Sequence, residues 1–334
     1  MEPDVTVRPA TAVAYLRERG LDPGEGATAE NLGGGVSNRV VCVRGERSFV
    51  LKQPLPNLAV EDDWPADVER VHNEAAAARA YADVVTTAGL DDVRVPAVLD
   101  ENLADHVVVF SCAPDDAVMW KQQLLAGRVD RSVAGSLGRL LGTAHRHTAG
   151  DGDLQATFAD KTPFDQLRVD PYHRTVAERH PELADAIHAE ADRVMGVDRT
   201  LVHGDFSPKN VLVGEALWLL DFEVAHWGDP AFDTAFMLNH LHIKAVHLPE
   251  RREALLEAVD AFWDAYESAS GWDIETTTVR ELAVLMLARV DGKSPVEYTE
   301  PDTEEALRTV ASRALREDVE TLAGFRDLLR EVSG

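Results

Sequence analysis

The sequence predicts an α+β fold, β-rich toward its N-terminal end and mainly helical beyond. Two observations carry that prediction. Short β-branched runs, Val40–Val43 and Phe49–Lys52, follow one another across glycine-containing bends. Alanine- and leucine-rich stretches with helical spacing fill most of the later chain. A third feature organises the whole: the stretch Leu201–Asp233, LVHGDFSPKNVLVGEALWLLDFEVAHWGDPAFD, in which acids recur at the ends of short apolar runs.

Pro9 to Gly20 reads as a short helix with Val13 and Leu16 on its apolar face and Gly20 as its stop. Gly33, Gly34 and Gly35 then open a meander of short strands that ends on Lys52. Glycines let backbone amides approach phosphate oxygens, although a tight turn alone would ask for the same residues. Pro65 to Val85 reads as a helix with Pro65 in its first turn. Val71, Glu74 and Ala78 share one face of it, so Glu74 points inward, where an unpaired acid is costly. Lys52 is its expected partner, with Glu69 as the alternative acid. Val107–Phe110 reads as a buried strand, followed by Ser111-Cys112-Ala113.

Leu137, Leu140, Leu141 and Ala144 form the stripe of a core helix ending near His145, and His145 and His147 read as structural. Thr148–Asp198 is the least regular part. Its mixed aromatic and basic cluster of Phe164, Leu167, Arg168, Tyr172, His173 and Arg174 stands out in an otherwise acidic chain and suits a binding surface or a solvated patch equally. Amphipathic helices at about Pro249–Ser268, Thr276–Arg289 and Thr303–Val332 close the chain.

Within the central stretch, Asn210 follows His203-Gly204-Asp205 by five residues, and a predicted strand–turn–strand leads to Asp221-Phe222-Glu223. Phosphoryl transfer explains this spacing. Nucleotide phosphates need a divalent metal held by hard oxygens, which an amide and a carboxylate supply. The acceptor hydroxyl needs a second carboxylate to orient it and take its proton. A hairpin between Asn210 and Asp221 would bring the first two together and leave Asp205 facing the acceptor. A buried hairpin with incidental acids is the plainer alternative.

HGDFSPKN followed by DFEVAHWGDPAFD resembles the aminoglycoside phosphotransferase and choline kinase superfamily, of protein-kinase-like fold. Gly204 stands where protein kinases have the arginine of HRD, and Glu223 where they have the glycine of DFG. The resemblance implies two lobes, a nucleotide-binding lobe over residues 1–112 and a catalytic, acceptor-binding lobe over 113–334. It implies ATP-dependent transfer to a hydroxyl of a small molecule, with Mg2+. Gly34, Gly35, Ser37, Asn38 and Lys52 would then meet the nucleotide phosphates. Glu74 would position Lys52, and Ser111 and Cys112 would offer backbone groups to adenine. Asn210 and Asp221 would hold Mg2+, with Glu223 assisting a second ion. Asp205 would be the base, and His203 and Asp233 props of its loop.

Lys52-Gln53-Pro54-Leu55-Pro56, Trp64-Pro65, Arg70 and Glu74, with Leu287–Val296 near the other end, are similar to segments of methylthioribose kinases. That likeness implies a sugar acceptor. The chain departs from the pattern at Ala288, which replaces an arginine, at an added Lys293, and at Asn210, where a serine is common. Arg289, Lys293, Arg168 and Arg174 are the candidate acceptor-binding cations. Arginine and lysine there suit an anionic ribose derivative, with ribose 1-phosphate ahead of methylthioribose. An aminoglycoside, choline or amino-alcohol acceptor is the alternative within the superfamily. An inactive nucleotide-binding module is the other, against which the joint retention of Lys52, Asp205, Asn210 and Asp221 argues.

Composition narrows the partners. The chain has 334 residues, 59 of them acidic against 33 lysines and arginines, for a net charge of −26. That charge opposes binding to nucleic acid or anionic membranes. No apolar run is long enough to cross a bilayer, and the acidic N-terminus has no targeting pattern. Only six residues are lysine: Lys52, Lys121, Lys161, Lys209, Lys244 and Lys293. An acidic, lysine-poor surface suits a salt-rich cytoplasm, and it also suits an ordinary acidic cytosolic protein. Cys42 and Cys112 form no metal-binding pattern and read as buried thiols of a reducing cytoplasm.

Overall fold

The computed structural model describes residues 5–33, 37–59 and 64–333. Five antiparallel strands form the first sheet, in the spatial order Thr28–Asn31, Asn38–Arg44, Phe49–Pro54, Val107–Ser111, Val98–Asn102. Alternation along the strands divides its faces. Val41, Val43, Phe49, Leu51, Val107 and Val109 pack against Ala12, Tyr15 and Leu16 of the helix Pro9–Glu18. Val108 and Phe110 join the core that includes Val71, Ala75 and Ala78 of the helix Arg70–Thr87.

That second helix starts five residues later than the sequence suggests. Pro65 is held extended in a bridge to Asn57, and the Trp64 and Ala66 backbone amides donate to Asn57 Oδ1 and Pro56 O. The Trp64 indole, donating to Gln166 O at 2.9 Å, ties this stretch to the larger lobe.

The larger lobe is helical, including most of the region that looked irregular. Asp165–Arg174 is a π-helical stretch with Pro171 inside it, followed by helices Thr175–Arg179 and Ala184–Gly196. The helix Pro230–His247 was invisible to periodicity because residues 230–246 are buried all round. The closing helix expected over Thr303–Val332 is two, Pro301–Arg316 and Leu322–Ser333. Asp318 adopts a left-handed φ of 53°, and the Val319 amide reaches back to Ala314 O at 3.0 Å. Arg280 holds the turn through Asp318. Among the described residues, no helix is long and apolar enough to cross a membrane.

Candidate active site

A cleft of about 1060 Å³ separates the small sheet from the helical lobe. Strand Phe49–Pro54 delivers Lys52 to it, and helix Arg70–Thr87 delivers Glu74 from the inward face that the sequence indicated. The Lys52 ammonium lies 2.7 Å from Glu74 Oε2 and also pairs with Asp221. Glu69 is exposed at the helix start, away from this pair. Burial opposes the charge on Lys52, but Asp221 and Glu74 outweigh it and hold the ammonium protonated beyond its ordinary range. Glu74 itself is pushed up to about 7, mainly by burial and against the pull of Lys52.

The hairpin reasoning holds in its geometry. Val211–Val213 pairs with Leu217–Leu219, and the Leu220 amide donates to Asn210 O at 2.9 Å, which sets Asn210 beside Asp221. Asp221 takes a left-handed φ of 67°, a conformation that short polar side chains tolerate. Burial would raise its carboxyl, yet Lys52 and Lys209 keep it well below the usual carboxylate range. The Asn210 amide nitrogen donates to Asp205 O at 2.9 Å, which leaves its Oδ1 as the remaining polar end. An amide oxygen and a carboxylate are hard donors of the kind Mg2+ accepts beside phosphate oxygens and water. These two residues therefore fit such an ion.

Asp205 is buried at the cleft floor, with Oδ2 2.9 Å from Lys209 Nζ and 3.0 Å from the Arg168 guanidinium. Its Oδ1 is buried and has no hydrogen-bond partner among the described residues. One carboxylate oxygen is thus fixed and the other is left for an incoming donor. The loop beneath is pinned by Asp233, which accepts from the backbone amides of His203 at 2.7 Å and Gly204 at 2.8 Å. His203 accepts from the Asp205 amide through Nδ1 at 3.1 Å, so its Nε2 carries the proton toward Leu220 O. Burial holds this imidazole below its ordinary pKa, consistent with a neutral ring. Gly204 has a φ of 77°, and a Cβ there would lie 2.5 Å from Val224 O. The arginine of HRD cannot occupy that backbone.

This constellation lies within a match to the family model described as the phosphotransferase enzyme family, which covers residues 28–276. The chain belongs to that family. Among curated proteins, 4-hydroxytryptamine kinase of Psilocybe cyanescens is 22% identical over 223 residues, 60% of this chain and 62% of that protein. The kinase of the same name from Psilocybe cubensis is 23% identical over the same shares. The chain thus matches less than two thirds of the length of these relatives. Among solved structures, amicoumacin kinase hAmiN in complex with AMP-PNP, Ca2+ and Ami has a TM-score of 0.54 at 16% identity. That alignment covers 90% of this chain and 91% of that one, and it shows the shared protein-kinase-like fold.

The structure differs from the sequence reading at several positions. Glu223, expected beside a second metal, has both oxygens engaged elsewhere. Ser37 Oγ donates to Oε1 at 2.7 Å, and Asn38 Nδ2 and Arg70 Nε donate to Oε2 at 2.8 and 3.1 Å. Ser37 and Asn38 therefore fasten the start of strand Asn38–Arg44 to the loop that carries Asp221 and Glu223, while Gly34 and Gly35 lie outside the described residues. Arg174 is not among the residues lining the cleft. It pairs with Asp165 at 2.7 Å on a surface-facing turn. Arg168 lines the cleft but is committed to Asp205 and to Gly204 O at 2.9 Å.

Arg289 and Lys293 do line the cleft, as do Ser111 and Cys112. Gly292 makes their placement possible, since a Cβ there would meet Ala288 O at 2.4 Å and Pro171 O at 3.1 Å. The Arg289 guanidinium donates to the Tyr172 hydroxyl at 3.2 Å and to Ser294 Oγ at 3.0 Å. Burial would raise the Tyr172 phenol, but Arg289 and Arg168 outweigh it and leave it below its ordinary value. Lys209, Lys121 and His240 are cleft residues to which the sequence reading gave no role, and Tyr172, from the mixed cluster, lines the cleft beside them. The scarcity of lysine was the available signal for the first two.

Proposed function

We propose that this phosphotransferase moves the γ-phosphoryl group of Mg·ATP to a hydroxyl of a small anionic sugar. Ribose 1-phosphate is the first candidate and methylthioribose the second. The observation that carries the acceptor class is the charge balance around Arg289. Lys293 is paired with Asp170, Lys121 with Glu297, and Arg168 and Lys209 with Asp205. Among the described residues no carboxylate lies within ion-pair distance of Arg289, and its Nε is buried without a partner. A half-buried cation so placed favours an acceptor that brings its own negative charge, and the guanidinium fork suits phosphate oxygens. A cationic acceptor, such as an aminoglycoside, choline or the amine of a tryptamine, would face Arg289 and Lys293 at a cost.

In this reading the residues 1–112 lobe holds most of the nucleotide and the 113–334 lobe the acceptor. Lys52, held by Glu74, binds nucleotide phosphates. Asn210 and Asp221 hold Mg2+, which when bound neutralises charge on the phosphates. Asp205 Oδ1 accepts the hydroxyl proton as the acceptor oxygen bonds to the γ-phosphorus and the bond to ADP breaks. Arg168 and Lys209 fix the other oxygen of Asp205, so that the base keeps one orientation. The net charge of −26 supports placement in a salt-rich cytoplasm.

Acceptor-dependent ADP release with Mg·ATP tests this, across ribose 1-phosphate, methylthioribose, choline and an aminoglycoside. The highest kcat/KM should belong to ribose 1-phosphate. Equal or better turnover of uncharged methylthioribose removes the anionic acceptor, and preference for a cationic compound removes the sugar as well.

A further inference from the structure

Cys42 and Cys112 are the only two cysteines of the chain, and they stand 70 positions apart in sequence. The fold brings their sulfurs to 3.9 Å. Cys42 sits on strand Asn38–Arg44, and Cys112 directly follows strand Val107–Ser111 at the junction of the lobes. Both line the cleft, as do the apolar residues Val40, Val50, Phe110 and Leu212. Cys42 is buried, whereas Cys112 is partly exposed through the cleft mouth.

We propose that Cys42 and Cys112 form a dithiol modification site in the nucleotide end of the cleft, oxidised by low-molecular-weight disulfides and closed to them when nucleotide is bound. The proposal rests on the reading that this part of the cleft receives the base of ATP. Three observations bear on it. The sulfurs stand 3.9 Å apart across the strand Phe49–Pro54, so a bond of about 2.05 Å requires the backbone at Cys112, just past the end of its strand, to move toward Cys42. One sulfur is open to a small oxidant. Their contact lowers the Cys42 thiol to about 7 and raises that of Cys112, so the buried sulfur gives up its proton more readily than the partly exposed one.

The chemistry balances. A thiolate of the pair attacks the disulfide RSSR, giving a mixed disulfide and one RS⁻. The second cysteine loses its proton and displaces the other RS⁻. The two cysteines lose two electrons and two protons in total, and the oxidant leaves as two RSH. The new bond draws the inter-lobe junction toward strand Asn38–Arg44 across Val50, which narrows the cleft there. Oxidation should therefore weaken Mg·ATP binding, and bound ATP should slow oxidation.

The test treats the full-length protein with oxidised glutathione, with and without Mg·ATP. Intact mass, free-thiol count and calorimetric Mg·ATP affinity are followed before and after reduction. The expected result is a loss of 2 Da, at least about tenfold weaker Mg·ATP binding, full recovery with dithiothreitol, and slower oxidation with nucleotide present. Cys42→Ser and Cys112→Ser, each compared with itself before and after oxidant, should show neither the loss of 2 Da nor any oxidation-dependent loss of Mg·ATP affinity. Retention of both free thiols in the folded protein overturns the proposal, as does a disulfide that leaves Mg·ATP affinity unchanged. If the reduced protein itself fails to bind Mg·ATP, the nucleotide reading of the cleft falls first and the proposal with it.

Discussion

Glu223 and Arg70 meet at 3.1 Å with both side chains almost wholly shut off from solvent. One residue follows Asp221 by two positions, and the other opens the helix that carries Glu74. The same guanidinium donates to Ser37 O at 2.5 Å and Leu55 O at 3.0 Å, so a single cation joins the segment at Ser37, the helix and the loop that carries Asp221. Breaking a buried pair by removing one partner strands the other charge, at a typical cost of about 3–5 kcal/mol. Arg70→Met should lower unfolding stability by that order and raise the KM for ATP more than that for the acceptor. Urea unfolding and steady-state kinetics check this. A variant as stable as wild type with an unchanged ATP KM contradicts the assignment.

The acceptor end should respond separately. Charge-assisted hydrogen bonds contribute roughly 1.5–3 kcal/mol, so Arg289→Ala should raise the acceptor KM by about ten- to a hundredfold. Lys293→Ala should act in the same direction but less, because Asp170 already shares its charge. The KM for ATP should change little in both. An Arg289→Ala enzyme with an intact acceptor KM and a raised ATP KM would place the residue on the wrong substrate.

Much of this arrangement was legible in the sequence, and the parts that were not share a cause. A hairpin's spacing could bring Asn210 beside Asp221, and one helix face could turn Glu74 inward, while joining Lys52 and Glu74 to Asp205, Asn210 and Asp221 in one cleft rested on the family resemblance. The helix Pro230–His247 could not be seen, since a helix buried on all sides has no polar stripe to give it a period. Pro65 looked like a helix start until Asn57 was found holding it extended. Glu223 read as a metal ligand because its acid is two residues from Asp221. Its capture by Ser37, Asn38 and Arg70 is a contact across 153 to 186 residues, which no local pattern reports. The contact of Cys42 with Cys112 was hidden in the same way.

Lys244 gives a pH signature. It is fully buried, donating to His240 O at 3.1 Å and the Tyr298 hydroxyl at 3.2 Å, and burial, with Lys121 and Arg289 nearby, lowers its ammonium to about 7. Between that value and the ordinary lysine range, the unfolded chain binds the proton and the native chain does not. Stability contributed at this site therefore rises as pH increases from about 7 toward 10, by up to about 1.4 kcal/mol per pH unit. Below about 7 both states are protonated and the slope vanishes. Lys244→Met should lose this slope and gain on wild type most near neutral pH. Parallel pH dependences of urea midpoints for the two proteins would contradict it.

The acidic surface makes a separate demand. With a net charge of −26, screening should relieve repulsion among carboxylates, so activity and melting temperature should both rise from low to molar KCl. A flat or falling response removes the salt-rich cytoplasm and leaves the assignment of the cleft intact.

Asp205 is the most direct test of the whole account, because its Oδ1 is the buried, unpartnered atom at which the reaction is placed. Asp205→Asn keeps the shape of the side chain and removes its basicity. Calorimetric binding of Mg·ATP and acceptor-dependent ADP release should be measured on the same preparation. The account predicts Mg·ATP affinity close to wild type with turnover reduced by about a hundred- to ten-thousandfold. Wild-type turnover by Asp205→Asn would contradict it.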